Sequence, residues 1–445
     1  MIKRALAVIL AAGFVVGVYA TDARVRVMGR QETPYFYRDE VSVFTNPADM
    51  SLYPNLIYGS FGWMGASDTS RGNGKLQNVQ PNDPLFGGMI SYGFSDEESG
   101  PMLSIGAYVN RTDYMLEKLL KAGGTDSRYK YYKGQNAIGQ SDTGQIDGTA
   151  GKRNLADPLG KFDVMLGFDV GNGFAMGLGF YTAYQCEREG EGNDIRNQTA
   201  LYKATAGINY NIEQGLDLEA SVNGGLTNAS WTQDTSVTGP VKLEDILSKK
   251  DTTLRRVTVS DDDYFLRGDL RFFTAVPAIN GSFVPQVSLT YMTLNRASIV
   301  DVAGGVGINM NIDRGFFWAG LQGIYTQELS SSNALTNSGD PQRIGARLSF
   351  GIERNIVWDW FLIRVGGQKE FQYETKDADT KSRWIENPVS NGEDNDLVGL
   401  GFGINIDNRL RIDFVASEDL PYTLTNLISG SSYHLFNRVS ATYRF

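Results

Sequence analysis

The chain has 445 residues, with 41 Lys and Arg against 51 Asp and Glu for a formal net charge of -10, and it holds one Cys and one His. One Cys excludes a disulfide framework within the chain and any Cys-based zinc site, one His excludes a multi-His metal centre, and the acidic balance argues against nucleic acid as a partner. The hydrophobic content of 41% allows a large core, and a mean hydropathy of -0.26 is compatible with strands whose apolar and polar residues alternate.

At the N-terminus, Lys3 and Arg4 precede an apolar run from Ala5 to Val18. That run is shorter than the roughly 20 residues needed to span a bilayer as a helix. Val18-Tyr19-Ala20 suits cleavage before Thr21, so residues 1–20 read as a cleaved signal peptide. Its removal takes away two positive charges, from -10 to -12. An exported chain without disulfides points to the bacterial envelope. Residues 21–55 carry one short alternating run, Val41-Ser42-Val43-Phe44, and three prolines, Pro34, Pro47 and Pro54, which disfavour central strands. Tyr35, Phe36, Tyr37 and Phe44 would be costly to leave in water. The segment therefore reads as a plug in a barrel mouth, with a periplasmic tail as the alternative.

Residues 56–445 repeat one unit, an alternating segment and a turn. Phe162, Val164, Leu166, Phe168 and Val170 interleave with Asp163, Met165, Gly167 and Asp169, a period of two that sorts them onto opposite faces of a strand. Gly171-Asn172-Gly173 then reads as a tight turn, and Phe174, Met176, Leu178, Phe180 and Tyr184 resume the apolar face. Sixteen such segments run from 56–65 to 432–445, with 14 as the alternative count. The connections at 95–101, 171–173, 211–215, 277–282, 311–315, 355–357 and 407–409 are short. Those between them are mostly long, including 66–84, 111–160, 233–261, 375–394 and 418–431, with 295–297 as the exception. The fold class is thus all-β, a transmembrane antiparallel up-and-down β-barrel in the bacterial outer membrane, with both chain ends on the short-turn, periplasmic side. Phe174, Phe283, Phe316, Phe317, Trp318, Trp358, Trp360 and Phe361 follow short turns, where an interfacial girdle in contact with outer-membrane lipids is expected.

Parity assigns to the lumen Arg267, Arg271, Arg343, Arg347, Arg364, Arg411 and Arg444, and Asp163, Asp169, Asp217, Glu219, Asp269, Glu353, Glu370 and Asp413. These near-balanced charges suit a salt-bridge network bracing the wall, or a transverse field across a water-filled pore. Inward glycines leave space, while Phe265 and Phe273 could fill it. In the longest connection, Met115 to Lys121 reads as a short amphipathic helix followed by Tyr129, Tyr131 and Tyr132, which folds inward as a constriction or covers the outer face. The acidic runs 261–263 and 393–396 read as solvated loops, not Ca²⁺ sites. His434 is a lone imidazole and no Gly-x-Ser-x-Gly elbow is present, so neither catalytic residues nor a cofactor or metal is expected. Cys186 falls on the lipid-facing parity as a small hydrophobe.

The chain ends in Tyr443-Arg444-Phe445 on an alternating strand. Tyr443 and Phe445 resemble the signal by which outer-membrane proteins engage the barrel-assembly machinery. Asn46-Pro47-Ala48 and the pair of segments from Val398 to Val415, glycine-rich then alternating, resemble FadL-type transporters of hydrophobic compounds and the related PorV-like outer-membrane proteins. That resemblance implies an N-terminal plug and, for the FadL type, 14 strands. The functional expectation is a porin-like or FadL-like channel passing small or hydrophobic solutes. The alternative is a non-conducting PorV-like scaffold or a surface-interaction barrel serving as adhesin or receptor.

Overall fold

The structure, a computed structural model, describes residues 22–28, 35–64, 84–94, 100–116, 119, 158–189, 195–234, 254–294, 297–330, 342–356, 358–375, 383–386, 398–407, 409–416 and 436–445. The expected signal peptide, Tyr129, Tyr131, Tyr132, His434 and the acidic run 393–396 lie outside these residues.

The strands are β1 (Leu56–Met64), β2 (Leu85–Gly93), β3 (Met102–Val109), β4 (Gly160–Gly171), β5 (Phe174–Glu189), β6 (Ile195–Glu213), β7 (Leu216–Asp234), β8 (Leu254–Val276) and β9 (Gly281–Leu294). They continue with β10 (Ala297–Ile312), β11 (Gly315–Ser330), β12 (Gln342–Asn355), β13 (Phe361–Thr375), β14 (Arg383–Glu386), β15 (Val398–Ile406), β16 (Leu410–Ala416) and β17 (Phe436–Arg444). Neighbours in sequence pair antiparallel, and β1 closes the sheet by pairing with β17 from Leu56 opposite Arg444 to Met64 opposite Phe436. Residues Phe361–Gly367 of β13 pair with β15, while Phe371–Glu374 pair with the short β14. The closed barrel therefore has 16 strands, with β14 an additional ribbon on the outer half of β13. Closure leaves no edge strand, which is what a sheet needs in hydrocarbon, where an unpaired N–H or C=O has no water to bond.

The short turns fall where the alternation breaks, and at five of them a left-handed residue makes the tight reversal possible. These residues are Asn172 (φ 56°), Gly215 (φ 88°), Asn280 (φ 48°), Arg314 (φ 56°) and Asp407 (φ 52°). Among the described residues no helix is long and apolar enough to cross a membrane. The 12 residues of β4, at about 3.3 Å each and a tilt of roughly 40°, rise about 30 Å.

Side-chain burial is inverted relative to a soluble protein. Ile90 and Leu178 face outward at 64% and 61% exposure, while Asp413, Arg364 and Glu219 face inward at 0–1%. A soluble sandwich would show the opposite, because large apolar groups gain by leaving water and charges lose.

Three expectations need correction. Phe316 and Trp318 are not girdle residues: they point into the lumen and are buried there, leaving Phe283, Trp358 and Trp360 among those exposed outside. Asp261, Asp262 and Asp263 lie within β8 rather than in a loop, at a ladder irregularity where Asp262 takes φ 53° and accepts from Asn228 Nδ2 at 3.2 Å. The four residues of β14 were not expected as a strand, because four residues are too few for alternation to stand out.

Candidate functional site: a lumen closed at two levels

The lumen near the short turns is filled by the N-terminal residues. Helix α1 (Asp22–Val27) packs against β13, β15, β16 and β17, and two 3-10 turns, Glu40–Phe44 and Pro47–Leu52, follow. The second turn packs against β3, β4, β5 and β6. Asn46 starts it: its Oδ1 accepts from the Ala48 N–H at 3.2 Å, and Pro47 takes the first position, where no N–H is needed. The backbone fits because the wall is glycine where it touches. A Cβ on Gly177 would overlap Pro47, one on Gly207 would overlap the Asn46 carboxamide, and one on Gly307 or Gly320 would overlap the Phe36 ring. A Cβ on Gly399 would stand 2.8 Å from the Val27 carbonyl oxygen, and one on Gly351 2.9 Å from Met28 Cβ. The inward glycines are thus seats for this segment. Phe36 and Tyr37 pack against Trp318 with tilted rings, 6.1 and 5.2 Å between centroids, in one apolar cluster with Met28, Phe273, Val284 and Phe316. Val43, Met50 and Tyr53 form a second cluster with Leu56, Tyr58, Met89, Tyr108 and Met165.

Two charge clusters hold the segment to the wall. In the first, Arg24 grips Glu353 with both Nε (2.9 Å) and Nη2 (2.8 Å) and pairs with Asp39 at 3.0 Å. Glu353 also accepts from Arg364 Nε at 3.0 Å and Arg411 Nη2 at 3.3 Å, and Asp413 pairs with both of those arginines. Every member is 0–5% exposed, so each charge depends on its partners to offset lost hydration. In the second, Arg38 pairs with Glu219 at 2.5 Å and Asp217 at 3.1 Å, and Arg271 bridges Glu219 and Asp49. Arg38 and Asp217 here are 30% and 27% exposed. Asn209 Nδ2 donates to Asp49 Oδ1 at 2.7 Å and Asn46 Nδ2 donates to Asn209 Oδ1 at 2.6 Å, tying the Asn46-Pro47-Ala48 stretch into the same cluster. Burial pushes the Asp39 carboxyl up to about 6, against the pull of Arg24, and burial with the nearby Glu219 charge does the same for Asp49. A cavity of about 20 Å³, between Tyr35 and Asn46 on one side and Glu219, Asp269 and Gln286 on the other, has room for about one water.

The second obstruction comes from the opposite side. After β3 the chain turns inward and is helical at 114–116 and again at 119. Asp113 caps this turn by accepting from the Met115 N–H at 2.9 Å, and its Oδ2 takes Lys203 Nζ at 2.5 Å and Arg111 Nη1 at 3.0 Å. Burial would raise its pKa, but Lys203 and Arg111 hold the carboxyl well below the usual range. Met115, Leu116 and Leu119 are buried against Tyr181, Leu201, Phe265, Met292 and Ile299 of the wall. Of the two expected placements, inward is the one observed.

The sequence-assigned lumen residues fall on the inward parity. Besides those in the clusters above, Arg267 pairs with Asp269 at 2.8 Å, Arg343 with Glu374 at 3.2 Å, Arg347 with Glu370 at 2.7 Å and Asp163 with Arg111 at 2.7 Å. Asp169 accepts from the Gly171 N–H at 2.8 Å, near the turn. Arg444 is half-buried, while Tyr443 and Phe445 are exposed outward at the barrel seam. Arg24, Arg38, Asp39, Asp49, Arg111, Asp113 and Lys203 were not singled out from sequence. One available signal was the run of three charges, Arg38-Asp39-Glu40, between aromatics in a segment expected to fill the lumen.

No family model matches the chain, and no curated protein matches it. Among solved structures it is similar to a Pseudomonas aeruginosa FadL homologue at 14% identity, over 96% of this chain and 99% of that one, with a TM-score of 0.40. It is similar to the P. putida toluene transporter TodX at 10% identity, over 96% and 99%, with a TM-score of 0.38. It is also similar to a loop L8 deletion mutant of OmpT, an outer membrane protein of Vibrio cholerae, at 8% identity, over 88% and 97%, with a TM-score of 0.32. At these values the functional reading rests on the geometry of the lumen itself.

Proposed function

We propose that the protein is a bacterial outer-membrane channel for small or hydrophobic solutes, held closed by its own N-terminal segment. The observation that carries this reading is the construction of the closure. Both obstructions are non-strand segments held to the wall by side-chain contacts, the N-terminal one seated on glycines and the inward turn on apolar side chains, so either can leave while the ladder of the closed barrel stays intact. The wall left behind would present Arg271, Glu219, Arg364, Glu353 and Asp413 around the space vacated by residues 22–28 and 35–53, a charged face that water can wet. The apolar exterior calls for lipid, and the alternation of short turns with long connections matches outer-membrane barrels.

The test is single-channel conductance in planar bilayers, for the full chain and for one lacking residues 21–55. A silent full chain and a conducting deletion support a plugged channel. Silence in both forms, and in a deletion that also carries Leu116→Asp to drive the inward turn off its apolar seat, refutes it and favours a second reading, a non-conducting scaffold. The observation on that side is the complete burial of Arg24 and Asp39, which pins the segment firmly.

A further inference from the structure

Among the described residues, the N-terminal segment and the inward turn after β3 enter the lumen from opposite ends, and they meet at two arginines. Arg111, at the root of the inward turn, is fixed to the wall by a bidentate pair with Asp163 at 2.8 and 2.7 Å. Its guanidinium lies 4.5 Å from the ring centroid of Phe44, in the N-terminal segment, and 4.8 Å from that of Tyr181, on the wall. Its remaining charged contact is Asp113, the residue that caps the inward turn. Phe44 also meets Tyr108, edge-on at 4.9 Å. Arg267 on β8 repeats the arrangement. It lies 5.2 Å from the ring of Tyr114, on the inward turn, and its Nη2 donates to the hydroxyl of Tyr35, in the N-terminal segment, at 3.4 Å.

We propose that the two closures are interlocked through Arg111 and Arg267, so that displacing the inward turn from one face loosens the N-terminal segment at the other. The physical basis is shared desolvation. A guanidinium over an aromatic ring is held several-fold more tightly when water is excluded than when it is exposed. Each closure excludes water from the arginine that the other packs on. When the inward turn leaves, Arg111 loses Asp113 and Arg267 loses the Tyr114 ring, and both become hydrated. Phe44 and Tyr35 then keep only weaker, wetted contacts. By thermodynamic reciprocity, releasing the N-terminal segment loosens the inward turn by the same factor. A solute arriving from the long-loop side would therefore act on the far closure without touching it.

This inference rests on the reading of the N-terminal segment as a movable closure, and its test reads accessibility rather than conduction. The full chain carries Cys186→Ser and a buried reporter on the N-terminal segment, Met50→Cys, and is purified in detergent and modified with a maleimide. Leu116→Asp puts a charge into the apolar seat of the inward turn and drives it off the wall. We expect modification at residue 50 to speed up by about tenfold. With Arg111→Ala and Tyr35→Phe already present, the starting rate is higher and Leu116→Asp adds less than about twofold, because the link is gone. An unchanged rate at residue 50, while a Leu119→Cys reporter shows that the turn has left the wall, overturns the interlock. If Leu116→Asp does not assemble, Tyr114→Ala removes the ring from Arg267 without charging the core. A rise of a few-fold is then expected, and no rise again overturns the proposal. Coupled accessibility in a barrel that stays silent without residues 21–55 and with Leu116→Asp leaves the interlock standing and removes the channel reading. Uncoupled accessibility in a conducting deletion does the reverse.

Discussion

Replacing Glu353 by Gln removes one negative charge from a site where three guanidiniums converge. Arg24, Arg364 and Arg411 all donate to Glu353, which is 3% exposed. The variant keeps the Arg24–Asp39 pair at 3.0 Å and the Asp413 pairs of Arg364 and Arg411, so three positive charges face two negative ones. Breaking a buried ion pair by removing one partner costs about 3–5 kcal/mol in total. Only part of that reports on docking of the N-terminal segment, because Arg364 and Arg411 belong to the wall and lose Glu353 whether or not the segment is docked. The Arg24 share is a bidentate charged contact, worth about 2–3 kcal/mol, or a release of about 30- to 150-fold. The assay is maleimide modification of Met50→Cys in a Cys186→Ser background, with heat-modifiable migration confirming an intact barrel. Arg38→Gln is the comparison. Arg38 is 30% exposed, its pair with Asp217 is screened by solvent, and its buried partner Glu219 keeps Arg271 of the wall, so the expected release is smaller, about tenfold or less. Modification of the Glu353→Gln protein at the parent rate, in an intact barrel, would refute the idea that this cluster holds the segment.

Other consequences are as specific. Gly207→Ala drives a methyl into the Asn46 carboxamide and is expected to raise residue-50 modification by about tenfold or more. Gly268→Ala, whose Cβ meets nothing nearer than the Ser221 carbonyl oxygen at 4.0 Å, is expected to leave it unchanged, and equal effects from the two would contradict the glycine seats. Asp39 and Asp49 have docked pKa values of about 6, above the roughly 4 of a free carboxyl. The docked state therefore takes up protons as pH falls from about 6 to 4, and docking strengthens over that window. Modification rates, normalised to an unfolded control, should fall between pH 7 and pH 5, and a rise would contradict the assignment. Deleting Phe445, whose N–H donates to the Asn55 carbonyl at 3.1 Å across the barrel seam, is expected to block assembly while leaving synthesis intact. Normal outer-membrane levels on cell fractionation would show that the terminal aromatic is dispensable.

The barrel was legible because a strand with one lipid face and one lumen face writes its orientation into every second residue. The Phe162–Val170 segment is the clearest case: Phe162, Leu166, Phe168 and Val170 are exposed, and Asp163 and Met165 are buried inside. Parity also placed the lumen charges, since register along a strand fixes the face. It could not say what those charges meet. Arg24 and Glu353 are 329 residues apart, and nothing in a local pattern ties them. The N-terminal segment has no period to read because it follows the wall's contour through single turns and seats. Phe316 and Trp318 were misplaced for a related reason. Aromatics beside a turn suit a girdle, but these two alternate with Phe317 and pack on Phe36 and Tyr37, which sequence could not bring to them. The glycines were visible as spacers, but not as seats, until the atoms opposite them were known.

The central claim is that the N-terminal segment is a closure that moves within an intact barrel, and a reversible tether tests it most directly. A Cβ built on Gly207 lies 3.4 Å from the Asn46 Cα, within reach of a disulfide. Single channels of the Asn46→Cys/Gly207→Cys/Cys186→Ser protein, with Leu116→Asp added to withdraw the inward turn, should be silent when oxidised, and should open when a reductant frees the segment from a seat already weakened by both cysteine substitutions. Steady conduction in the oxidised form, or silence after reduction has been verified by thiol titration, would contradict it.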